Sequence, residues 1–364
     1  MHRGAGRGFK STTHKHVCQT INSVLYDDVN VMNIDNTCRQ EQHRRSLKLL
    51  RDLSSMEITN PDLARIDPVA YLVAKSPLPE YLGYVQAHSI QGAKVDVGEL
   101  AEQWRAAYSR TQQLEAEEGG IADNASAASV SDELAHLSAA VLADPMFQKS
   151  FAIVPATLGM IDLDKVVVFQ RAINLRYSEQ IAGRLADGAT PEAVFRVCLP
   201  FDHPKPAVRL GRVAGNAFAF TSESTDLRFL EAVLLEGGQL QDYVPTGPVC
   251  GVIGLVTGFG CNFLNVLAVG GRLIMNNGNH RAYSLRRLGI RHIPAVIQHI
   301  THVEELDAVT AAIFVERKEA YLSAPRPPML KDFFDSVLCR EISVPRRNRQ
   351  VRVTFGVEAL DVPA

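Results

Sequence analysis

The hexapeptide Asn276-Asn277-Gly278-Asn279-His280-Arg281 decides the fold, because a strand and a helix are predicted on its two sides. Residues 270–275 before it predict a turn followed by a short strand. Residues 282–288 after it predict a short helix, which stops at Gly289. Residues 290–300 then predict the next strand. The unit is therefore strand, glycine-containing turn, helix and strand.

A turn of this kind is a candidate site for an anion. It directs backbone N–H groups outward at the positive end of a helix dipole, and phosphate is the anion most often found there. Gly278 allows the backbone to approach a phosphate closely. The N–H groups of Asn279, His280 and Arg281 are then expected to bind it, with the side chains of His280 and Arg281 beside them.

The stretch from about Leu267 to Ile300 resembles the signature of the ParB/sulfiredoxin superfamily, in which a strand leads through a Gly-x-(His/Arg)-Arg turn into a helix, Leu-Gly and a second strand. The residues that match this order and spacing are Gly278, His280, Arg281, Ala282, Leu288, Gly289, Ile293, Pro294 and Val296. In that superfamily the turn binds the phosphates of ATP or CTP. The resemblance implies a ParB/sulfiredoxin-like α/β core, a nucleotide ligand, and Mg²⁺ as the ion that accompanies phosphoryl transfer.

Two positions depart from the pattern of the superfamily. Sulfiredoxins have a nucleophilic cysteine immediately before His-Arg, where this chain has Asn279, so sulfiredoxin chemistry is excluded at this turn. Many relatives have an aspartate before the glycine, where this chain has Asn277. The turn therefore lacks a carboxylate that could hold a metal or orient a base.

A second, weaker similarity to the superfamily lies at residues 174–181. Asn-x-Arg precedes a short polar helix in the first conserved box of the superfamily, and here the motif is Asn174-Leu175-Arg176, with Ser178 as the expected N-cap. The resemblance implies that Arg176 contacts the nucleotide phosphates and that Glu179 faces the substrate as a catalytic base. The alternative interpretation is a surface helix whose charged residues form ion pairs.

Composition places the chain among soluble globular proteins. It has 364 residues, 46% hydrophobic and 21% charged, and a formal net charge of −2, which gives no global attraction to nucleic acid. The six cysteines form no Cys-x-x-Cys pair, which favours a reducing, cytoplasmic location without a metal site. The uncharged run 249–271 is long enough to span a bilayer, but its glycines and asparagines favour buried core, so no membrane association is expected.

The pattern along the chain predicts four segments: a mobile N-terminal extension at 1–55, a helical region at 56–150, the ParB/sulfiredoxin-like nucleotide-binding domain at 151–300, and a C-terminal helix and strand extension at 301–364. In the helical region, Asn60-Pro61 is typical of a helix start, and apolar residues continue at helical spacing to Leu72. Further helices are predicted at 100–114 and 131–146.

Other elements are predicted from apolar patterning alone. Strands are expected at 165–169, 195–200 and 217–221, and helices at 222–236, 304–322 and 331–338. The basic cluster Arg346-Arg347-Asn348-Arg349-Gln350-Val351-Arg352, which leads into a strand at 351–357, is interpreted either as a charged edge strand or as an anion or nucleic-acid contact.

The resemblance implies a cytoplasmic nucleotide-binding protein that is an ATP- or CTP-dependent phosphotransferase or hydrolase, with His280 relaying a proton. The first alternative is a DNA-binding, partition-type regulator, for which 304–338 is the only segment with room for a helix-turn-helix. The second is a non-catalytic interaction protein that keeps the fold. The substrate, any protein partner and the oligomeric state are not determined by these patterns.

Overall fold

The computed structural model describes residues 66–213, 215–240 and 244–363, and within them the fold is the expected α/β mixture. The extension expected at 1–55 and the helix start expected at Asn60-Pro61 lie outside the described residues. The helices are α1 Leu78–His88, α2 Val97–Glu118, α3 Ala135–Ala143, α4 Pro145–Ser150, α5 Leu175–Gly183, α6 Pro191–Cys198, α7 Asn279–Arg287, α8 Leu306–Val309, α9 Ala312–Glu316 and α10 Lys318–Leu322. The strands are β1 Ile66–Leu72, β2 Ala156–Asp162, β3 Val167–Val168, β4 Ala172–Asn174, β5 Arg209–Val213, β6 Ala217–Ser222, β7 Leu227–Leu235, β8 Val252–Phe259, β9 Asn265–Val269, β10 Arg272–Asn277, β11 His292–His299, β12 Cys339–Pro345 and β13 Arg349–Thr354.

The central element is a five-stranded sheet with the order β2-β11-β9-β10-β3. Strand β10 is antiparallel to β9 and parallel to β3, and β9 is parallel to β11. The strand–turn–helix predicted around Gly278 is present, because β10 ends at Asn277 and α7 begins at Asn279. The side chains of β9 to β11 are almost entirely buried, so this sheet fixes the position of the turn.

A second sheet, with the order β12-β1-β4, joins distant parts of the chain. Its central strand β1 is a correction, since the helix predicted to continue to Leu72 is wrong over Ile66–Leu72. The segment is extended because it pairs on both edges, with β12 and with β4, and its last four residues are buried. The rest of the predicted helical region does contain helices, α1 to α4.

The first hydrophobic cluster draws on all three predicted segments after residue 55. Ala70, Leu134, Val168, Phe195 and Phe333 belong to it, although they lie far apart in the chain. Leu330 also donates its backbone N–H to the Val166 carbonyl at 3.0 Å. The residues after 300 therefore pack into the same core as the central sheet.

Two predicted elements near the site have the opposite secondary structure. The strand predicted at 195–200 is wrong, because Thr190 caps a helix through Ala193 N–H at 3.2 Å and α6 continues to Cys198. The helix predicted at 222–236 is also wrong, because β7 pairs with β8 over eight residue pairs. The uncharged run 249–271 accordingly forms half-exposed β8 and buried β9, and only the second agrees with the buried core expected there.

The predicted helix at 304–322 is divided into three short helices, α8, α9 and α10. Each has four or five residues, and Thr310, Ala311 and Arg317 interrupt them in non-helical conformations. The helix predicted at 331–338 is a 3₁₀ turn over Leu330–Phe334. Among the helices of the described ranges, none is both long and apolar enough to cross a bilayer.

Candidate functional site

The turn between β10 and α7 requires glycine for two reasons. Gly278 has φ 102° and ψ 17°, the left-handed conformation that side chains with a Cβ disfavour. A Cβ at this position would also lie 2.7 Å from Cγ of Leu264. The glycine predicted to approach a phosphate is therefore also required for packing against the strand beside it.

The N-terminus of α7 is free of a side-chain cap. Gly278 has no side chain to accept from the first N–H groups, and the first turn contains no acidic residue. The Gly278 carbonyl accepts the Ala282 N–H at 2.9 Å, as the first bond of the helix. The N–H groups of Asn279, His280 and Arg281 precede that bond, at the positive end of the helix dipole.

Arg281 is a buried guanidinium that contacts carbonyl groups only. It is 7% exposed, and its Nη1 donates to the Cys198 carbonyl at 2.9 Å and to the Asn262 carbonyl at 2.5 Å. No described carboxylate lies within 4.0 Å of it. Burial lowers the pKa of Arg281 to about 10, so it remains charged at neutral pH.

No described carboxylate forms an ion pair with Arg281, although the charge of Asp226 raises its pKa against the larger effect of burial. Burial raises the pKa of the Cys198 thiol to about 12, so this group is uncharged at neutral pH. The exposed Arg184, which follows α5, is close enough for its charge to lower the pKa of Arg281. Sequence patterning gave no signal for Arg184, because only the fold places it near the turn.

His280 connects the two motifs that resemble the superfamily. Its Nε2 accepts the backbone N–H of Asn174 at 3.0 Å, and its ring lies edge-on to Tyr177 at 5.9 Å. Burial, and after it the charge of Arg281, lower the pKa of His280 to about 4. At neutral pH the ring is therefore uncharged, with its proton on Nδ1, and Nε2 is occupied as an acceptor.

Arg176 lies in the first turn of α5 but is already paired with carboxylates. Its Nε is 3.0 Å from Oδ1 of Asp67 and its Nη1 is 3.2 Å from Oε2 of Glu223. The structure thus shows the ion pairs of the alternative interpretation at Arg176. The N-cap of α5 is Asn174, which accepts the Tyr177 N–H at 3.3 Å, rather than Ser178.

Asp67 was not identified from the sequence, although it organises this side of the site. It is 3% exposed and accepts from Arg346 Nε at 2.8 Å and from Asn174 Nδ2 at 2.9 Å, in addition to its pair with Arg176. Burial raises the pKa of Asp67, but the hydrogen bonds from Asn174 and Arg346 and the nearby charges outweigh it and lower the value. The only sequence signal that could have identified Asp67 as a site residue is its position as a lone aspartate in an apolar strand.

Glu179, the predicted base, is exposed on α5. Its buried neighbour Ser178 faces α7 instead, since the Ser178 carbonyl accepts from Ser284 Oγ at 2.5 Å. No described contact joins Glu179 to the turn.

Buried asparagines surround the turn. Asn279 and Asn265 are 4% and 5% exposed, and the Oδ1 atom of each lacks a described hydrogen-bond partner. Asn277 donates from Nδ2 to the Phe263 carbonyl at 3.2 Å, as does Asn265. Asn265 lies opposite Asn277 in the β9–β10 pair. The sequence signal for Asn265 as a site residue, which was missed, is a polar amide in an otherwise apolar strand.

The residues at the turn do not fit a Mg²⁺ ion. Within the described ranges, no group of three or more His, Cys, Asp or Glu side chains could hold a metal. Asn277 occupies the position of the missing carboxylate, and Asp67 is already bound by two arginines. His299, at the end of β11, forms a hydrogen bond through Nε2 with Thr157 Oγ1 at 2.8 Å.

The segment 304–338 does not form a helix-turn-helix. The longest α-helix in it has five residues, which is shorter than the recognition helix that such motifs place in a major groove. Neither a known protein family, nor a characterised protein, nor a solved structure matches this chain.

Proposed function

We propose that this protein binds a nucleotide through its phosphates at the N-terminus of α7. The buried charge of Arg281, which forms no ion pair with a described carboxylate, is the observation that carries the proposal. A buried charge is normally paired, because leaving it alone in a medium of low dielectric is costly. A phosphate at the turn supplies the negative charge in direct contact that Arg281 lacks.

The neighbouring groups favour the same kind of ligand. The uncapped N–H groups at the start of α7 direct donors outward. Arg184 adds a second positive charge near Arg281. Nδ1–H of His280 is a further donor, and the unpartnered Oδ1 atoms of Asn279 and Asn265 can accept from a ligand hydroxyl or amino group.

The geometry supports binding better than phosphoryl transfer. A general base needs a free basic atom near the reacting group and a pKa near the working pH. His280 offers neither, because its Nε2 is occupied and its pKa is about 4. Glu179 is exposed, with no described contact to the turn. We therefore favour a nucleotide-binding protein that is regulated or assembled by its ligand over a phosphotransferase or NTPase.

Calorimetric titration with ATP, CTP and the corresponding nucleosides tests the proposal. We expect Arg281→Ala to weaken nucleotide binding by about 1.5–3 kcal/mol, the range for a hydrogen bond to a charged group. Arg286→Ala is the matched control, because Arg286 lies on the same helix but is paired with Asp164 at 2.7 Å. EDTA is expected to leave the affinity almost unchanged, since the turn has no carboxylate for Mg²⁺.

Arg184→Ala keeps the test decisive if Arg281→Ala does not fold. Arg184 is exposed, so this variant should fold and bind nucleotide several-fold more weakly. No binding of either nucleotide to the wild type overturns the proposal. So does a nucleoside that binds as tightly as its triphosphate, or a nucleotide-induced rise in melting temperature that is equal in folded Arg281→Ala and wild type.

A further inference from the structure

The sheet with the order β13-β6-β5 has an apolar face that does not pack into the core. None of its residues belongs to the three hydrophobic clusters of the described chain. An antiparallel sheet usually packs one face on the core and exposes the other to water. This sheet is instead exposed on much of both faces.

Aromatic rings dominate one face of this sheet. The register places Phe220 opposite Leu210 and Phe218 opposite Arg212, so these side chains share that face. Phe355, just after β13, stacks on Phe218 with ring centroids 6.3 Å apart and an angle of 12° between the planes. Phe218 is 38% exposed and Phe355 is 40% exposed.

The charge of the sheet has a single sign. Its three strands contain four arginines and neither aspartate nor glutamate: Arg209, Arg212, Arg349 and Arg352. All four lie on the outer strands β5 and β13. Arg212 and Arg349 lie opposite Phe218 and Ser222 and share the aromatic face, whereas Arg209 and Arg352 lie on the other face. None forms a salt bridge with a described residue, and Arg349 donates only to the Leu227 carbonyl at 3.4 Å.

We propose that this face binds single-stranded nucleic acid, with bases stacked on Phe218 and Phe355 and phosphates held by Arg212 and Arg349. Stacking on aromatic rings combined with a basic surface is how proteins bind single strands without reading their sequence. The charge complementarity selects a polyanion over an apolar protein partner. The rings select an unpaired strand, because the bases of a duplex are stacked on each other and are not available to them.

This surface is separate from the turn at Gly278. Within the basic cluster at 346–352, Arg346 pairs with Asp67, while Arg349 and Arg352 lie on the sheet. The inference therefore goes beyond nucleotide binding by Arg281, and the two can fail independently.

Fluorescence anisotropy with the full chain tests the proposal. The probes are labelled oligothymidylate and oligouridylate of about 20 nucleotides, longer than the roughly 4–16 nucleotides that a known single-strand-binding OB-fold covers, and a duplex of equal length. We expect both single strands to bind more tightly than the duplex. A preference for oligouridylate identifies RNA as the ligand, and a preference for oligothymidylate identifies DNA.

Two kinds of variant separate stacking from charge. Phe218→Leu keeps an apolar side chain but removes the ring, and we expect it to weaken single-strand binding by about 5- to 150-fold. Arg212→Ala and Arg349→Ala should each lower the slope of log affinity against log salt by about 0.7. Arg105→Ala, which removes an arginine that is 65% exposed on α2, should change neither quantity.

Melting curves first establish that each variant folds. Absence of binding to either single strand at low salt overturns the proposal, because phosphate contacts are strongest there. Equal affinity of folded Phe218→Leu and wild type overturns it as well, since the surface would then be only a basic patch. Tighter binding of the duplex contradicts it, and a concentration-dependent dimer lost in Phe218→Leu would show that a second copy of the chain occupies the face.

Discussion

Gly278 is the residue at which the turn is most sensitive to change. Gly278→Ala places a side chain at φ 102° and brings its Cβ within 2.7 Å of Leu264. We expect a loss of about 2–4 kcal/mol in the free energy of unfolding, of which about 1–2 kcal/mol is left-handed strain. Urea denaturation measures it.

Gly289→Ala is the control for that prediction. Gly289 has φ 83° and nothing within 4 Å of its Cβ position, so only the backbone strain applies. Equal losses at the two positions would show that Leu264 moves away without cost.

His280 gives the site a pH dependence of stability. Its pKa is about 4 in the folded chain and about 6.5 in an unfolded one. Between these values the unfolded state binds more protons, so stability falls as the pH decreases from about 6.5 to about 4. The total loss in the free energy of unfolding over this range is at most about 3 kcal/mol, and partial exposure of the ring reduces it.

His280→Asn tests this prediction, because it removes the titration and keeps an acceptor near the Asn174 N–H. Denaturation midpoints between about pH 5 and 6.5, above the ordinary range of carboxylates, should depend less on pH in the variant than in the wild type. An unchanged slope in that interval would contradict the assignment of His280 as a neutral acceptor.

Local sequence predicted the turn but not the partners of its side chains. Gly278, His280 and Arg281 were identified because the glycine, the helix and the strand are adjacent in the chain. The carbonyls that bind Arg281 belong to α6 and to Asn262, and residues 195–200 were expected to form a strand. Neither contact could be predicted without the tertiary fold.

Among the elements, Asp67 joins β1, α5 and the residues after β12. Asp67→Ala leaves Arg176 and Arg346 without their shared partner, and we expect a loss of about 3–5 kcal/mol, as for other broken buried pairs. Thermal denaturation at neutral pH measures it. Because hydrogen bonds and nearby charges lower the pKa of Asp67, its contribution is present at neutral pH and is lost below about pH 4.

Glu223→Ala removes the other carboxylate that pairs with Arg176 and is the matched control. The side chain of Glu223 is 58% exposed, so its loss should cost at most about 1 kcal/mol. Equal losses in the free energy of unfolding would show that Asp67 contributes no more to stability than the exposed Glu223.

Some elements carry terminal signals in the local sequence, whereas elements defined by pairing do not. The Thr190-Pro191 start of α6 was a usable signal that the apolar pattern of 195–200 obscured. Strand β7 has no such signal, because a run of leucines and valines fits a helix until its partner β8 is known. Strand β1 is extended for the same reason, and its partners lie far away in sequence.

At the scale of the whole molecule, the C-terminal residues divide into a part required for the core and a part that is not. Leu338 and Ile342 belong to the second hydrophobic cluster, and β12 pairs with the full length of β1. We expect a chain that ends at Leu338 to lose at least about 4 kcal/mol, the cost of exposing buried aliphatic side chains. A chain that ends at Arg347 should keep the wild-type folding transition, since β13 contributes nothing to the three clusters.

Trp104 reports on this difference. It is the only tryptophan of the chain, it packs on the second cluster, and its Nε1 donates to the Ser76 carbonyl at 2.7 Å. Fluorescence should therefore show a weakened transition for the shorter chain alone. A wild-type transition in the chain that ends at Leu338 would show that β12 is dispensable.

The pairing of β1 with β12 also has a consequence for synthesis on the ribosome. Residue Cys339, which pairs with Leu72, is translated roughly 270 residues later. At a translation rate of about 5–20 residues per second, β1 lacks this partner for roughly ten seconds to a minute. Strand β4 is available earlier and covers one edge, while the other edge can pair with neighbouring nascent chains. We therefore expect this edge to be the part of the nascent protein that most needs a chaperone, until β12 emerges and closes the sheet.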